Sequence, residues 1–256
     1  MQLVVLGPPG AGKGTQARMV ADRYRIPAIS TGALFRAAVS DDSAFGRSVR
    51  EHLTEGGLVP DPLTISAVAR RLAQPDTARG FLLDGFPRTA DQALSLGGLL
   101  SARGATLDAA LALRVGADEV ARRLSGRRTC SSCGAIWHVV FRPTRDPDRC
   151  DGCDGVLYRR DDDCETAVRA RLIAYEAHTA PVLDFYARSG RLIEIAAGGA
   201  VADVAGAVSA ALRDLDPTRR GGLRRLERTV HSSVRHAPRR SATGRVTRAG
   251  RGSAGA

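Results

Sequence analysis

The sequence contains almost no lysine: Lys13 is the single lysine among 38 basic residues, and the others are arginine. Aromatic residues make up only 4% of the chain, so a buried core has to be built from Ala, Val and Leu. No apolar run approaches the roughly 18 residues that a membrane-spanning helix needs. The amino terminus also lacks the basic segment that opens an export signal. On these grounds we expect a cytoplasmic protein.

Acidic residues are scarce only at the carboxyl end. Residues 217–256 contain eleven arginines and a single acid, whereas the other 216 residues carry 27 basic and 26 acidic groups. The net charge of +11 therefore belongs to this basic tail, and an RNA or anionic-surface partner is expected there alone. An apolar stripe between Leu223 and Val234 fits a basic amphipathic helix, although an extension without a specific partner is the simpler interpretation.

Short apolar runs alternate with helical patterns along the rest of the chain. Strand-like runs occupy residues 2–7, 26–30, 80–85, 110–115 and 191–197. Helical stretches between them include 61–73 and 165–188, and Pro181 should kink or divide the second. This alternation predicts an α/β protein with a doubly wound, parallel five-stranded sheet.

Two stretches interrupt the alternation and resemble insertions. Residues 31–60 contain no strand-like run, and residues 127–163 are rich in Cys, Gly, Pro, Arg and Asp, with short β-like pieces such as IWHVVF. Insertions on an α/β core often form lids. We therefore expect core segments at 1–29, 61–126 and 164–216, insertions at 30–60 and 127–163, and a disordered tail at 217–256.

The stretch GPPGAGKGTQ, residues 7–16, has the pattern of a phosphate-binding loop between a predicted strand and a predicted helix. Glycines let consecutive backbone N–H groups converge on phosphate oxygens, and the helix N-terminus adds partial positive charge. Lysine brings a compact point charge, whereas arginine is a wide planar fork. A narrow loop therefore explains why Lys13 is lysine.

One position departs from the generic loop. The residue that supplies a hydroxyl to Mg²⁺ is replaced by Gly14, and Thr15 follows. Asp84, at the end of the apolar run FLLD, is placed like a carboxylate that meets Mg²⁺ or its waters. Satisfying loop amides at a strand end is the alternative role for Asp84.

Four of the five cysteines form two Cys-x2-Cys knuckles, Cys130 with Cys133 and Cys150 with Cys153. This spacing predicts a four-thiolate zinc site, with iron or paired disulfides as alternatives. Because the protein fills all four positions, the metal would be structural and would replace the core that a small lid lacks. Cys164 lies outside the quartet.

Six stretches together resemble one family. They are GPPGAGKGTQ, ISTGALFRAAV, GGLVPDPLT, GFLLDGFPRTADQ, GRR and RRDDDCETAVRARL. They are similar, in order and spacing, to the signatures of the adenylate kinases in their long-lid bacterial form. The resemblance implies a P-loop NTPase-like core with a helical insertion that binds nucleoside monophosphate and a zinc-containing lid. It also implies Mg²⁺-dependent, reversible transfer, ATP + AMP = 2 ADP, for adenine nucleotide homeostasis, by a monomer without an obligatory protein partner.

The resemblance also implies roles for individual residues. The ATP-binding set is Gly10, Ala11, Gly12, Lys13, Gly14, Thr15, Arg123, Arg127, Ile136, Trp137 and Gly199. The AMP-binding set is Thr31, Arg36, Gly57, Leu58, Val59, Gly85, Phe86, Pro87, Arg88, Gln92, Arg160 and Arg171. The catalytic set is Lys13, Asp84, Arg88, Arg123, Arg160 and Arg171. For Ile136 and Trp137, packing inside the lid is an equal alternative.

The chemistry supports this charge pattern. Transfer of a phosphoryl group between two polyanions needs cations that offset repulsion, and guanidinium forks suit bidentate contacts with phosphate. No general base is needed because a phosphate acceptor is already anionic. The amide of Gln92 offers one donor and one acceptor to an adenine edge, which favours AMP. Asp162 and Asp163 fit a hinge, an ion pair or a substrate contact.

Two other functions remain open at this stage. The first is a GTP:AMP phosphotransferase or another nucleoside monophosphate kinase. The second is a nucleic-acid-associated protein that uses the tail and the cysteine knuckles. A nearly neutral body with few aromatic residues argues against the second.

Overall fold

A parallel sheet forms the centre of the structure, a computed structural model that describes residues 1–40, 43–54, 59–160 and 163–215. The strands are β1 (Gln2–Leu6), β2 (Ala28–Ser30), β3 (Phe81–Asp84), β4 (Ala109–Arg114), β5 (Arg127–Cys130), β6 (Ile136–His138), β7 (Leu157–Tyr158) and β8 (Leu192–Ala196). The α-helices are α1 (Lys13–Tyr24), α2 (Thr31–Ser40), α3 (Ala44–Thr54), α4 (Asp61–Leu72), α5 (Ala90–Ser101), α6 (Ala117–Ser125), α7 (Glu165–Ala174), α8 (Ala180–Arg188) and α9 (Val201–Leu212).

The central sheet has five strands in the order β2-β3-β1-β4-β8, and every pairing is parallel. The predicted α/β fold and its five strands are confirmed. Strand β2 begins later than the sequence suggested because Pro27 has no N–H to donate; only its carbonyl joins the sheet, accepting from Leu82 N at 2.9 Å.

Helices cover both faces of this sheet, which explains why its strands are continuously apolar. Val4 and Leu83 point to the face covered by α4, α5 and α8. Leu3 and Leu82, one position earlier on the same strands, point to the face covered by α1 and α9. The carboxyl ends of the strands therefore stay open at one edge, where ligand sites of open α/β sheets form.

The predicted interruption of the helix at 165–188 is confirmed. A single π-helical turn, Tyr175–Thr179, separates α7 from α8. Pro181 lies in the first turn of α8. A proline ring clashes with the carbonyl four residues earlier and donates no hydrogen bond, so the chain widens just before it.

The described part of 31–60 is helical, as the family resemblance implied. Helices α2 and α3 pack on α4 through a small cluster that includes Phe35, Val49 and Val59. Predicted residues Gly57 and Leu58 lie outside the described residues, as do Asp162 and the whole tail at 217–256. Within the described residues, no helix has the length and apolar character needed to cross a membrane.

The segment 127–163 forms its own antiparallel sheet in the order β6-β5-β7. Strand β6 is shorter than the β-like stretch IWHVVF, and the prediction for residues 139–141 is wrong. The backbone N–H groups of Val140 and Phe141 both donate to Nδ1 of His138 at 3.0 Å. The imidazole thus accepts hydrogen bonds from two backbone N–H groups that a longer strand would use for pairing. The strand therefore ends at His138, and the chain turns.

Candidate active site

The phosphate loop joins β1 to α1 at the carboxyl edge of the sheet. Gly7, Gly10 and Gly12 have φ values of +143°, +77° and +89°, a region where L side chains are strained. A Cβ on Gly7 would also lie 2.7 Å from the carbonyl oxygen of Leu113. Both the backbone conformation and the close packing therefore require glycine in this loop.

Lys13 is the first residue of α1 and reaches back across the loop. Its Nζ donates to the carbonyl oxygens of Gly7 and Pro8, both at 2.8 Å. Burial lowers the pKa of Lys13 from its ordinary value of 10.5 to about 8. The carboxylate of Asp84 opposes this shift, while Arg88, Arg171 and Arg127 add to it. Three arginines are thus close enough to act on the charge of Lys13, an arrangement suited to a polyanion.

Asp84 and Gly14 are adjacent, which accounts for the departure from the generic loop. A Cβ on Gly14 would lie 3.3 Å from Oδ2 of Asp84 and 3.9 Å from Cδ1 of Ile136. A serine or threonine at this position would crowd the carboxylate. Asp84 thus places an oxygen ligand beside the loop, and one carboxylate together with substrate phosphates and water is a donor set that suits Mg²⁺.

The segment 127–163 lies over the phosphate loop. Nη2 of Arg18, on α1, donates to the carbonyl oxygen of Gly134 at 3.2 Å. Ile136, on β6, approaches Gly14 as described above. These two approaches place the cysteine-containing segment beside the phosphate loop.

Arg123 links the loop to the segment after β8. Its Nη2 donates to the carbonyl oxygen of Gly199 at 3.2 Å, and its Nη1 lies 3.9 Å from the position of a Cβ on Gly12. Glu119, one turn earlier on α6, accepts from Nε of Arg123 at 2.7 Å. Three predicted ATP-site residues, Arg123, Gly199 and Gly12, are thereby brought together.

Asp163 connects two of the predicted phosphate-binding arginines. Its side chain is fully buried and accepts from Arg127 through both carboxylate oxygens, with Arg127 Nε to Oδ2 at 2.7 Å. Nη1 of Arg171 lies 3.8 Å from Oδ1 of Asp163. Asp163 therefore has the ion-pair role among the three that were left open.

Arg160 is hydrogen-bonded to strand β5. Its Nε donates to Oγ1 of Thr129, a residue of that strand, at 2.9 Å.

The turn after β3 carries the predicted acceptor side. Oγ1 of Thr31 and Nε of Arg88 both donate to the carbonyl oxygen of Gly85 at 3.0 Å. Burial lowers the pKa of Arg88, Arg171 acts in the same direction, and Asp84 opposes them. Phe86, Pro87 and Val59 are buried around this turn. Arg36 lies on α2, where its Nη1 is 3.2 Å from the position of a Cβ on Gly32.

Gln92 is buried, and its amide belongs to a network that the sequence did not reveal. Oε1 of Gln92 accepts from the backbone N–H of Arg88 at 2.8 Å, and Nε2 donates to Oδ1 of Asp61 at 2.6 Å. Oγ1 of Thr89 donates to Oδ2 of Asp61 at 2.5 Å. Asp61 precedes Gln92 by 31 residues, so nothing in the local sequence indicated the pairing.

Trp137 packs inside the cysteine-containing segment. It lies against the cluster of Cys130, Cys150 and Leu157, and the guanidinium of Arg142 sits 4.2 Å from its ring centroid. This environment favours the packing role for Trp137. Ile136, its neighbour, faces Gly14.

The four knuckle cysteines form one cluster with the geometry of a metal site. All four Sγ atoms lie within 4.8 Å of one another, with Cys130 to Cys153 at 3.5 Å and Cys133 to Cys150 at 3.7 Å. A tetrahedral zinc with Zn–S bonds near 2.3 Å separates its sulfurs by about 3.8 Å. All four thiols are free, so paired disulfides are absent from these four described positions.

The thiols of the cluster act on one another: although the backbone N–H of Gly155 lowers the pKa of Cys153, hydrogen bonds with the neighbouring cysteines and burial raise it to about 12. Backbone N–H groups, that of Cys133 first, lower the pKa of Cys130 to about 6, although burial acts in the opposite direction. Cys164 lies outside the cluster and is exposed. The donor set of four sulfurs therefore fits zinc with no open position for catalysis.

Comparison with known proteins agrees with this geometry. A family model described as adenylate kinase matches residues 5–191. An adenylate kinase of Acidothermus cellulolyticus is 51% identical over 213 residues, which cover 83% of this chain and 98% of that protein. An adenylate kinase of Methanocella arvoryzae is 46% identical over 215 residues, 84% of this chain and 100% of that protein. An adenylate kinase of Streptomyces avermitilis is 45% identical over 220 residues, which cover 86% of this chain and 100% of that protein.

Proposed function

The chain belongs to the adenylate kinase family, a family of nucleoside monophosphate kinases, and we propose that it transfers phosphate between ATP and AMP, ATP + AMP = 2 ADP, with Mg²⁺. The observation that carries this proposal is the glycine loop around Lys13, whose Nζ lies 2.8 Å from the carbonyl oxygens of Gly7 and Pro8. The charges of Arg88, Arg127 and Arg171 act on the same ammonium. They come from the turn after β3, from β5 and from α7, so three separate segments supply positive charge to the phosphate loop. Such a site offsets the repulsion between two bound nucleotides.

The donor phosphates would lie on the glycine loop, residues 10–15. Backbone N–H groups at the start of α1 and the ammonium of Lys13 would bind the phosphate oxygens. Arg123, which already bridges the loop and Gly199, would hold the donor from the other side. When bound, Mg²⁺ neutralises charge on the donor phosphates, and Asp84 is the residue that would hold it or its waters.

The acceptor phosphate would lie between Arg88 and Arg36, with Arg160 and Arg171 closing the site from the lid side. Gln92, Thr31 and the turn at 85–88 would hold the nucleoside. A phosphate acceptor needs no deprotonation, so catalysis depends on positioning and on charge stabilisation. Asp163 keeps Arg127 and Arg171 near each other and so maintains the spacing of the cations.

We also propose that the chain works as a core, at 1–29, 61–126 and 164–216, with two insertions at 30–60 and 127–163. Zn²⁺ bound by the four clustered cysteines would stabilise the second insertion. We propose a monomer in the cytoplasm that maintains adenine nucleotides, as the family resemblance implies. The substrates ATP, AMP and ADP are then its only required partners.

The basic tail has no role in this mechanism. Deletion of residues 217–256 is expected to leave turnover with ATP and AMP within about twofold of the full chain, because no residue assigned to the ATP or AMP site lies among them. We propose that any RNA or anionic surface contact is made by the tail, so the deletion should also remove salt-sensitive RNA binding. A large loss of turnover would show that the tail belongs to the enzyme.

A coupled assay across nucleotides tests the proposal. ATP and GTP serve as donors, and AMP, UMP, CMP and GMP serve as acceptors, each pair with and without Mg²⁺. We expect ATP with AMP to give the highest kcat/KM and Mg²⁺ to be required. A preference for GTP as donor would replace the proposal by a GTP:AMP phosphotransferase, and a preference for another acceptor would replace AMP.

A further inference from the structure

Asp61 and Thr89 hold the amide of Gln92 in one orientation. Gln92 is only 2% exposed, and both ends of its amide are hydrogen-bonded to protein. Asp61 is the first residue of α4, and Thr89 is the N-cap of α5. The network therefore joins the helix that supports the 30–60 insertion to the helix that carries Gln92.

Every hydrogen bond in this network has a forced direction. A backbone N–H only donates, so the atom of Gln92 that faces Arg88 N has to be the oxygen. A carboxylate only accepts, so the atom that faces Asp61 has to be the nitrogen. Oγ1 of Thr89 accepts from the backbone N–H of Gln92 at 3.2 Å and therefore turns its own hydrogen to Asp61. A flipped amide would place donor against donor and acceptor against acceptor.

This orientation has a consequence for the acceptor base. Each end of the Gln92 amide keeps one further position, a lone pair on the oxygen and a hydrogen on the nitrogen. Adenine presents a donor at its 6-amino group and an acceptor at N1, which complement that pair. Hypoxanthine presents an acceptor at O6 and a donor at N1, and binding it in the same way would require the flipped amide.

We propose that Asp61 is a specificity-determining positioning residue that makes the enzyme select a 6-aminopurine monophosphate over a 6-oxopurine monophosphate by holding the Gln92 amide in one orientation. The inference rests on the proposed function, in which Gln92 meets the acceptor base. Asp61 itself does not contact the nucleotide. Replacing Asp61 should therefore change the preference for the acceptor base and should not change the binding of ATP.

Replacing Asp61 by asparagine tests this directly. The asparagine side chain has nearly the same shape but offers a donor as well as an acceptor, so it can pair with Gln92 in either orientation. A flipped Gln92 would then conflict only with the N–H of Arg88. The matched control is Asp118→Asn, which removes an exposed carboxylate from the first turn of α6, away from this network.

The measurement is kcat/KM for AMP and for IMP, with ATP as donor, in the wild type and both variants. We expect the wild type to prefer AMP strongly, Asp61→Asn to reduce the AMP-to-IMP ratio about tenfold or more, and Asp118→Asn to keep it. The KM for ATP should be unchanged in all three. Asp61→Ala, which removes the acceptor that faces Nε2 of Gln92, should shift the ratio in the same direction and is the variant to use if Asp61→Asn does not fold.

Three results would overturn the inference. Equal losses for AMP and IMP in Asp61→Asn and in Asp61→Ala would mean that Asp61 is only structural. A wild-type enzyme that accepts IMP as readily as AMP would mean that the amide orientation selects nothing. An enzyme inactive on AMP would refute the proposed function itself, and the role of Asp61 with it, so this failure is distinguishable from the other two.

Discussion

Raising the pH through about 8 is expected to weaken ATP capture by removing the charge on Lys13. Burial, Arg88, Arg171 and Arg127 lower its pKa from 10.5 to about 8 despite the opposing charge of Asp84. This corresponds to about 3 kcal/mol against the charged form in the absence of nucleotide, since each pKa unit is worth about 1.4 kcal/mol. Donor phosphates would reverse much of that cost, because an anion near an ammonium favours its charged form.

The sign of the pH dependence follows from these shifts. Below about pH 8, Lys13 of the free enzyme is charged. Above it, kcat/KM for ATP should fall about tenfold per pH unit, because this parameter reports the ionisation of the free enzyme. The kcat reports the bound complex, where phosphates raise the pKa of Lys13, so kcat should decline only at higher pH.

The lysine content of the chain makes the ionisation measurable at one site. Lys13 and the terminal amine of Met1 are the only aliphatic amines in the sequence. Trace acetylation at a series of pH values, read by peptide mass spectrometry, follows the deprotonated fraction of each amine separately. We expect a midpoint near 8 for Lys13, which moves upward when a non-hydrolysable ATP analogue is bound. A midpoint near 10.5 in the free enzyme, or no shift with the analogue, would refute the electrostatic argument.

Three further predictions concern the loop, the metal site and the turn after β3. Lys13→Arg should lower kcat by about 100-fold or more and leave the unfolding temperature nearly unchanged, because a guanidinium is wider than the ammonium that lies 2.8 Å from the carbonyl oxygens of Gly7 and Pro8; near-normal turnover would contradict this. Native mass spectrometry should find one zinc per chain, and Cys133→Ser should abolish it and lower thermal stability, whereas Cys164→Ser should not; a metal-free wild type would remove the zinc proposal. Gly85→Ala should raise the KM for AMP because its Cβ would lie 2.7 Å from Oγ1 of Thr31. Gly104→Ala is the control, because Gly104 also has a positive φ, +64°, but its Cβ would meet no atom within 4 Å, so this variant has the backbone strain without the clash. Equal effects of the two alanines on KM would contradict the steric argument.

The sequence was sufficient for the features that depend on local pattern. Apolar runs of strand length, separated by helical periodicity, predicted the five parallel strands. The spacing of the four cysteines predicted a cluster that the structure brings within 4.8 Å. The strand order could not be read in this way, because β3 pairs with both β1 and β2 through long-range contacts that leave no periodic trace.

The features that escaped prediction share a physical cause. Asp61 meets Thr89 and Gln92 across 28 and 31 residues, and a carboxylate at the start of a helix resembles an ordinary charged first turn. Asp163 was one of two adjacent acids with three possible roles, and only its burial against Arg127 separates them. In both cases the decisive contribution is the pairing of a partly or fully buried charge, which depends on tertiary structure and not on local composition.

The central claim, transfer of a phosphoryl group to AMP, is tested most directly by following the acceptor itself. Isotopically labelled AMP and unlabelled ATP are incubated with the enzyme and Mg²⁺. The nucleotides are then separated, and labelled and unlabelled ADP are quantified by mass spectrometry. The account predicts that early in the reaction labelled and unlabelled ADP form in equal amounts, and that Lys13→Arg slows both together. Unlabelled ADP accompanied by free phosphate, with the labelled AMP unchanged, would show ATP hydrolysis and would contradict the account.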